Sequence, residues 1–209
     1  MSSSKDLAGL DVPRETLLAL SAFESLLRTE NARHNLVSAT SLDDSWNRHV
    51  ADSAQLIHFA PSDAKSWLDL GSGAGFPGLI VALLLQRTKV TLVENRRLRI
   101  EFLRQAAQLL NVEVEIIGAD VNKVPSQPFD VISARAFAPL DRLLAAGLRF
   151  SRPTTIWILP KGRNAKSELE AASASWQGDF RLEPSRTDDE AKIIVASEVR
   201  RRPERKRAP

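Results

Sequence analysis

The amino-acid sequence predicts an α/β fold built on a doubly wound, mostly parallel sheet. From Lys65 onward, short segments rich in β-branched residues alternate with segments of helical periodicity, which is typical of such sheets. A glycine-rich stretch at 71–78 directly follows the first predicted strand. The 209 residues are 43% hydrophobic and 26% charged, a balance that allows a sizeable core and excludes disorder along most of the chain. The length fits one large domain or two small ones.

The segment before the alternating region is predicted to be helical. One helix is expected at about 13–29, where apolar residues recur at steps of three or four. A second is expected at about 42–59, with Ser41 as its cap. We therefore predict an N-terminal helical extension of residues 1–61, packed on a core of residues 62–199.

Six strands and three further helices are predicted in the core. The strands are expected at 66–70, 89–94, 112–117, 129–134, 154–159 and 192–199, and the helices at 77–86, 96–110 and 139–150. Ligands of such sheets bind beyond the carboxyl ends of the strands, near the point where helices leave in opposite directions. The residues that directly follow each strand are therefore the candidates for a functional site.

The glycine-rich loop after the first strand is the most informative stretch. Gly71, Gly73 and Gly75 stand at alternate positions, which lets the chain turn sharply and lets a ligand approach the backbone. A dinucleotide fingerprint would need glycine at position 76, where this chain has Phe76. The G-x-G-x-G pattern after the acidic Asp69 instead resembles the first motif of class I methyltransferases that use S-adenosylmethionine. A tight turn that holds no ligand is the alternative.

S-adenosylmethionine would need two further binding groups near the loop, one for its carboxylate and one for its ribose. Its methionine carboxylate is expected at the N-terminus of the helix after the loop. Its ribose is expected at Glu94, which ends the second strand 19 residues after Gly75 and can accept hydrogen bonds from both hydroxyls. The alternative for Glu94 is a surface acid beside Arg96 and Arg97.

The ends of the third and fourth strands offer further candidates. In methyltransferases of this architecture, Asp120 or Asn122 would face the adenine and bind its exocyclic amine, unless either residue simply caps a short helix. Arg135 is a charged residue at the tail of a buried strand. It would hold the cofactor carboxylate or a substrate phosphate, unless it pairs with a structural carboxylate.

Basic residues follow the fifth strand and also lie in the predicted second helix. Lys161 and Arg163 would sit at the same rim of the sheet, where they could meet a nucleic-acid backbone, with a solvated loop as the alternative for Arg163. Arg48 and Asp52 stand four residues apart, a spacing that an ion pair within the helix explains. The histidines show no metal-binding spacing, so no metal is expected.

Composition limits the chemistry and the partners. The absence of cysteine excludes disulfides, thiolate metal sites and a cysteine nucleophile. The formal net charge of +3 divides into +5 on residues 200–209 and −2 on residues 1–199. We predict a basic flexible tail at 200–209 that aids binding to a nucleic acid, the alternative being a solubilising extension.

No targeting or membrane-spanning segment is expected. The first residues lack the apolar core of a signal peptide. The longest apolar run, 79–85, has seven residues, whereas a bilayer span needs about 20. A soluble cytoplasmic protein without membrane contact is predicted.

Several segments, taken in order, resemble one bacterial family. They are 33–38 (RHNLVS), 48–53 (RHVADS), 68–78 (LDLGSGAGFPG), 132–138 (ISARAFA) and 160–162 (PKG). On these motifs the chain is similar, from about residue 14 to 199, to the RsmG family, also called glucose-inhibited division protein B. Members of that family are 16S rRNA guanine-N7 methyltransferases.

The resemblance implies a class I fold with a seven-stranded sheet and S-adenosyl-L-methionine as cofactor. It implies methyl transfer to N7 of a guanosine in 16S rRNA of the small ribosomal subunit, at the family's guanine 527. The cofactor contacts that it implies are Gly71, Phe76, Val121, Asn122 and Arg135. No side chain is expected to be essential as an acid or base, because N7 of guanine carries a free lone pair at neutral pH and catalysis can rest on alignment.

The resemblance also implies a partner, 16S rRNA or the 30S subunit, and a monomer is expected. Because the body of the chain is near neutral, its RNA affinity must come from local clusters. The candidates are Arg33, His34, Arg48, Lys161 and Arg163. Two other functions stay open: a methyltransferase of the same fold that acts on a small molecule or protein, and a non-catalytic RNA-binding relative. The N-terminal helices favour the rRNA enzyme, since the resemblance extends through them.

Overall fold

The computed structural model describes residues 7–203, which form a seven-stranded sheet flanked by helices. The strands are β1 (Ser66–Leu70), β2 (Lys89–Glu94), β3 (Val114–Gly118), β4 (Val131–Ser133), β5 (Ile156–Gly162), β6 (Trp176–Pro184) and β7 (Lys192–Arg201). Their order across the sheet is β3-β2-β1-β4-β5-β7-β6. β7 runs antiparallel to both β5 and β6, and the other neighbouring pairs are parallel. The predicted doubly wound, mostly parallel sheet is confirmed.

Seven α-helices surround this sheet in the described part of the chain. They are α1 (Arg14–His34), α2 (Ala39–Asp43), α3 (Asp52–Ala54), α4 (Gly78–Leu84), α5 (Arg97–Leu110), α6 (Leu140–Gly147) and α7 (Ala165–Ala172). A π-helical segment, Trp46–Ala51, leads into α3. Short 3₁₀ turns lie at Gln55–Phe59, Val121–Lys123 and Leu148–Phe150.

The N-terminal helices differ from the prediction in their ends. α1 runs five residues further than expected, because the buried Asn31 accepts a hydrogen bond from Val37 N at 2.8 Å and holds the last turn. The predicted cap of the second helix is wrong. The helical region begins at α2, where the side chain of Ser38, not Ser41, accepts from the N–H of Ser41. It is also interrupted at Asp44 instead of running unbroken to residue 59.

The predicted bounds of β1 and β2 are confirmed, and the other predicted strands differ by a few residues. β5 begins at Ile156 because the N–H of Thr155 donates to Arg152 O in a turn. The prediction missed α7 and β6. β6 is an edge strand whose residues after Trp176 are exposed or only partly buried, so it lacks the apolar pattern of a buried strand. Hydrogen bonding to β7 holds it in the sheet.

The last strand extends past the predicted domain boundary. β7 continues to Arg201, whose guanidinium lies 5.0 Å from the centre of the Trp176 ring. Arg202 donates to the carbonyl of the same tryptophan at 2.9 Å. The prediction of a flexible tail is therefore wrong for residues 200–202, and for residues 204–209 it lies outside the described part of the chain.

Two hydrophobic clusters cover the two faces of the sheet. Trp67 of β1 points into one cluster, together with Phe23 of α1 and Phe102 of α5. The next residue, Leu68, points into the other, with Leu144 of α6 and Trp157 of β5. This alternation follows from the two-residue period of a strand. The N-terminal helices pack on the face of the first cluster mainly through the helices that cover the sheet, α1 on α5 and α3 on α4. The segment around His49 reaches the loops that follow β1 and β4.

Candidate functional site

The glycine loop leaves the end of β1 in a backbone conformation that favours glycine. Gly71, Gly73 and Gly75 have φ of +70°, +57° and +90°. A Cβ at Gly71 would lie 2.6 Å from the ring of Phe137, and one at Gly75 would overlap Leu79. At Gly73 the nearest atom would be 3.7 Å away. Packing therefore requires glycine at positions 71 and 75, whereas the space beside Gly73 is open.

The N–H groups of this loop are turned inward. Those of Gly71 and Ser72 donate to the carbonyl of Val93 at 2.9 and 3.1 Å, and that of Gly73 donates to the Glu94 carboxylate at 3.0 Å. The N–H groups of Gly75 and Phe76 both donate to Ser72 O. A phosphate site needs free N–H donors. The loop is thus unsuited to a phosphate and better suited to a cationic or neutral ligand.

The N-terminus of α4 does not offer the expected carboxylate site. The N–H of Gly78 donates at 3.2 Å to Asp69, a buried carboxylate of β1. The next N–H groups of this helix donate to the carbonyls of Gly75 and Pro77. The prediction of a cofactor carboxylate at this helix end is therefore wrong, because the protein's own Asp69 takes that place.

Asp69 is held in a fully buried polar chain. Trp67 Nε1 donates to Ser133 Oγ, and Ser133 Oγ donates to Asp69 Oδ1, both at 2.8 Å. Burial raises the pKa of the Asp69 carboxyl to about 6, since hydrogen bonds from Ser133, Ser72 and Gly78 offset only part of the loss of hydration.

Asp69→Asn should change how stability depends on pH. As pH rises from about 4 to about 6, the unfolded carboxyl ionises before the folded one, so the wild type loses about 2 kcal/mol of stability relative to the variant over that window. Urea unfolding of both proteins from pH 4 to 7 measures this difference. Asp130→Asn is the control, since hydrogen bonds from Lys65 and Ser66 hold the pKa of Asp130 below its ordinary value despite its partial burial. The difference between that variant and the wild type should stay flat from pH 4 to 6, and equal slopes for all three proteins would contradict the prediction.

A cavity of about 600 Å³ opens beside the loop at the ends of β2 and β3. It brings together five residues that the sequence singled out, Gly71, Glu94, Asp120, Val121 and Asn122. Glu94 is buried and also accepts hydrogen bonds from the N–H groups of Asn95 and Arg96, at 2.8 and 2.9 Å. Asp120 accepts from Asn122 N at 2.8 Å and so caps a short turn, as the alternative interpretation had it, while still lining the cavity.

A second cavity, of about 460 Å³, lies on the other side of the loop. Gly73, Phe76 and Arg135 line it, together with Arg48 and residues 36–41 of the N-terminal segment. The two cavities share Gly71, Arg99 and Ala136. Arg99 lies 3.8 Å from the Glu94 carboxylate and was not among the site residues predicted from the sequence. The sequence feature that could have identified Arg99 is its position in the first turn of the helix after Glu94.

Arg135 joins the loop after β4 to the N-terminal segment. One guanidinium nitrogen donates to Arg48 O at 2.9 Å and to Asp52 at 3.3 Å, and the other lies 2.8 Å from His49 Nδ1. The guanidinium also lies 5.2 Å from the centre of the Phe76 ring. Pairing with a structural carboxylate, the alternative interpretation of Arg135, is therefore present. The predicted Arg48–Asp52 pair is wrong, because Asp52 pairs with Arg135.

His49 is neutral and held in one orientation. Burial, and then the charge of Arg135, lower the pKa of His49 to about 3. Nδ1 therefore accepts from Arg135, and the proton lies on Nε2, 3.1 Å from Ser41 Oγ. The imidazole stacks on the Phe76 ring, with the ring centres 5.0 Å apart, and the ring centre of Phe23 of α1 lies 5.3 Å from that of Phe76. The N-terminal helices thus position the loop residue Phe76.

A third cavity, of about 800 Å³, lies beyond the ends of β4 and β5. Its wall includes Arg48, Arg135 and Lys161, and also Thr187 and Asp188 from the loop between β6 and β7. This loop could not be predicted from the sequence, because β6, which precedes it, lacks the apolar pattern of a buried strand. Asp52 connects the loop to the rest of the site, since it accepts from Thr187 Oγ1 at 3.1 Å and also binds Arg135.

The predicted RNA-binding residues are scattered. Arg33 is exposed on the last turn of α1 and pairs with Glu30, as does His34. Arg163 is exposed and lies 3.1 Å from Glu190. Lys161 is only 8% exposed, and its Nζ donates to Ala138 O and Glu168 at 2.7 and 3.0 Å. That ammonium serves the fold, which disfavours a contact between Lys161 and a phosphate.

Within residues 7–203, no cluster of three or more potential ligands that could hold a metal ion is found. In the same range, no helix is long and apolar enough to span a bilayer.

Comparison with known proteins gives one consistent result. A family model described as rRNA small subunit methyltransferase G matches residues 17–186. A relative of that name from Rhizorhabdus wittichii is 52% identical over 194 residues, which cover 91% of this chain and 89% of the relative. One from Zymomonas mobilis is 48% identical over 198 residues, with the same coverage of 91% and 89%.

Solved structures with the same fold are more distant in sequence. A ribosomal protein L11 methylase from Lactobacillus delbrueckii aligns with a TM-score of 0.58 and 16% identity, over 72% of this chain and 78% of that one. A SAM dependent methyltransferase from Aquifex aeolicus aligns with a TM-score of 0.55 and 16% identity, over 70% and 88%. At such identity the likeness concerns the fold alone, which is the class I methyltransferase fold.

Proposed function

The chain belongs to the rRNA small subunit methyltransferase G family, and on that basis we propose that it methylates the family's guanine 527. It is an S-adenosylmethionine-dependent enzyme that transfers a methyl group to guanine N7 in 16S rRNA. The observation that carries the proposal is the match of the family model to residues 17–186. The glycine loop, with one cavity on each side of it and a third beyond β4, supports it.

The residues around the loop fit S-adenosylmethionine better than a nucleotide. Because the loop N–H groups are engaged, the loop suits the sulfonium and ammonium groups of the cofactor and not a phosphate. In the 600 Å³ cavity, Glu94 would accept from the ribose hydroxyls, and Asp120, Val121 and Asn122 would flank the adenine.

The methionine part would lie in the 460 Å³ cavity, against Gly73 and Phe76. Its carboxylate needs a cation, since Asp69 occupies the end of α4. Arg99 and Arg48 line this cavity, whereas Arg135 is bound by Asp52 and His49. We assign the carboxylate to Arg99 or Arg48 for that reason.

Methyl transfer to guanine N7 needs no side chain that acts as a general acid or base. The lone pair of guanine N7 forms a bond to the methyl carbon, the carbon–sulfur bond breaks with its electron pair left on sulfur, and the positive charge passes to the purine. No proton has to leave before this step. Rate enhancement then comes from holding the two reactants in contact and in line, and Phe137, at the boundary of the 800 and 600 Å³ cavities, offers an aromatic face to the developing cation.

RNA contacts are proposed at exposed cations that border the 800 Å³ cavity and on the nearby surface. Arg48 borders it directly, and Arg33 and Arg163 are exposed elsewhere. The protein's ribosomal RNA substrate supports a cytoplasmic location.

The proposed function is tested with labelled S-adenosylmethionine and 30S subunits, or their rRNA, from a strain that lacks the modification. Label on N7 of guanine 527 is the expected result. Label on a different guanine would overturn the site assignment. Label on a protein or metabolite with inert rRNA would point to another methyltransferase of this fold, and RNA binding without transfer would point to a non-catalytic relative.

Removing residues 204–209 should weaken RNA binding and make it less dependent on salt. These residues hold three Lys or Arg and one Glu, so the slope of log affinity against log salt should fall by about 1 to 2. The truncation begins at 204 because Arg201 and Arg202 contact Trp176. Filter binding at several salt concentrations measures the slope, and cofactor affinity, which should not change, is the control. An unaltered slope would show that the tail has no part in binding.

A further inference from the structure

One residue lines all three cavities at the site. Ala136 borders the cavities of about 800, 600 and 460 Å³. Each of its chain neighbours borders only two of them: Arg135 lines the 800 and 460 Å³ cavities, and Phe137 the 800 and 600 Å³ cavities. Gly71 borders the two smaller ones. Ala136 therefore marks the point at which the three spaces meet.

The backbone at Ala136 is held in an unusual conformation. Its φ is +52°, in the left-handed region that alanine rarely adopts. Asn35 and Asn111 share that conformation, but they end helices, where it is common. Ala136 ends no helix and lies between β4 and α6. Such residues persist where the surrounding structure dictates the conformation, and they concentrate at functional sites.

The contacts of the two chain neighbours of Ala136 explain its left-handed backbone conformation. Arg135 is fixed on the N-terminal segment by Asp52 and His49. Phe137 is fixed over the glycine loop, where its ring lies 2.6 Å from the position of a Cβ on Gly71. The left-handed residue turns the chain between these two anchors, and Ala136 is itself exposed where the three cavities meet.

We propose that Ala136 sets the gap across which the methyl group is transferred, and that its small side chain is required for the two reactants to touch. The inference rests on the proposed function: the guanosine enters the 800 Å³ cavity, and the adenosine and methionine parts of the cofactor occupy the other two. Transfer requires N7 to approach the methyl carbon to about 3–3.5 Å in line with the carbon–sulfur bond. A larger side chain at the meeting point occupies that space without removing any binding group.

The test uses two substitutions that both accept a left-handed backbone, Ala136→Asn and Ala136→Gly. Asparagine adds bulk at the junction, and glycine removes it. For Ala136→Asn we expect turnover at saturating RNA to fall by about 100-fold or more, with affinities for S-adenosylhomocysteine and for RNA within about threefold of wild type. For Ala136→Gly we expect turnover to fall far less, by about tenfold at most, because the gap stays open.

Glu198→Asn is the matched control. Glu198 has the same φ of +52° and lies on β7, outside the walls of these three cavities. The control should keep the wild-type turnover. If Ala136→Asn does not fold, as judged by its thermal unfolding, Ala136→Ser carries the same test with less added bulk.

Three results would overturn the proposal. Transfer by Ala136→Asn at close to the wild-type rate would show that the gap tolerates bulk. A loss of S-adenosylhomocysteine affinity as large as the loss of turnover would make Ala136 a wall of the cofactor site instead. A wild-type protein that binds S-adenosylhomocysteine but leaves rRNA unlabelled would overturn the proposed function itself, whereas the first two results leave that function standing.

Discussion

Replacing Glu94 with glutamine should weaken binding of S-adenosylmethionine and S-adenosylhomocysteine by about 100-fold, or about 2.7 kcal/mol. The carboxylate is buried and serves two sets of donors: three N–H groups of the protein, from Gly73, Asn95 and Arg96, and the proposed ribose hydroxyls. Hydrogen bonds to a charged acceptor contribute about 1.5–3 kcal/mol each. Glutamine removes the charge and turns an NH₂ group toward groups that are themselves donors.

Calorimetric titration with S-adenosylhomocysteine measures this effect, and thermal unfolding shows how much of it is structural. Glu101→Gln is the control, because Glu101 lies on the next helix, is exposed and pairs with Arg97 at the surface. It should bind the cofactor like wild type. Glu94→Gln with unchanged cofactor affinity and a lowered melting temperature would show that Glu94 only organises the loop.

The central part of the fold follows from sequence patterns that have one physical cause. β1 and β2 are buried on both faces and bounded by polar residues or glycine, so their ends could be predicted to the residue. β6 could not be predicted, because an edge strand is stabilised by hydrogen bonding to a distant partner, β7, and not by its own burial. The loop that this hairpin contributes to the 800 Å³ cavity was missed with it.

The site was predictable where it depends on strand ends and unpredictable where it depends on packing between distant segments. Gly71, Glu94 and Asp120 follow parallel strands, whose carboxyl ends meet at one edge. The partner of Asp52 was assigned to Arg48 by local spacing. The π-helical segment and the loop after β4 bring Arg135 to it across more than 80 residues of sequence. Local spacing carries no information about such a contact.

Replacing Arg135 with alanine should destabilise the protein by about 3 kcal/mol, since it leaves the mostly buried carboxylate of Asp52 without its cation. It also removes the donors to His49 Nδ1 and Arg48 O. Arg163→Ala is the matched control: that arginine is 77% exposed and pairs with an exposed glutamate, so its loss should cost about 0.5 kcal/mol or less. Urea unfolding at pH 7 gives both values. Equal losses of unfolding free energy in the two variants would mean that Arg135 and Asp52 stabilise the protein no more than an exposed ion pair does.

Asp52→Asn separates the structural role of Arg135 from the cofactor contact that the family resemblance implies. If Arg135 anchors the N-terminal segment, weakening its partner displaces Arg48, His49 and Phe76, and affinity for S-adenosylhomocysteine should fall by about tenfold. If Arg135 instead binds the cofactor carboxylate, Asp52 competes for the same guanidinium, and the variant should bind the cofactor as well as wild type or better. We expect the fall, because Arg135 already has three partners within the protein. A double-mutant cycle of Asp52→Asn with Arg135→Ala, measured by urea unfolding, should show a coupling energy of about 1–2 kcal/mol in the free energy of unfolding. Additive losses of stability would contradict a direct Arg135–Asp52 interaction.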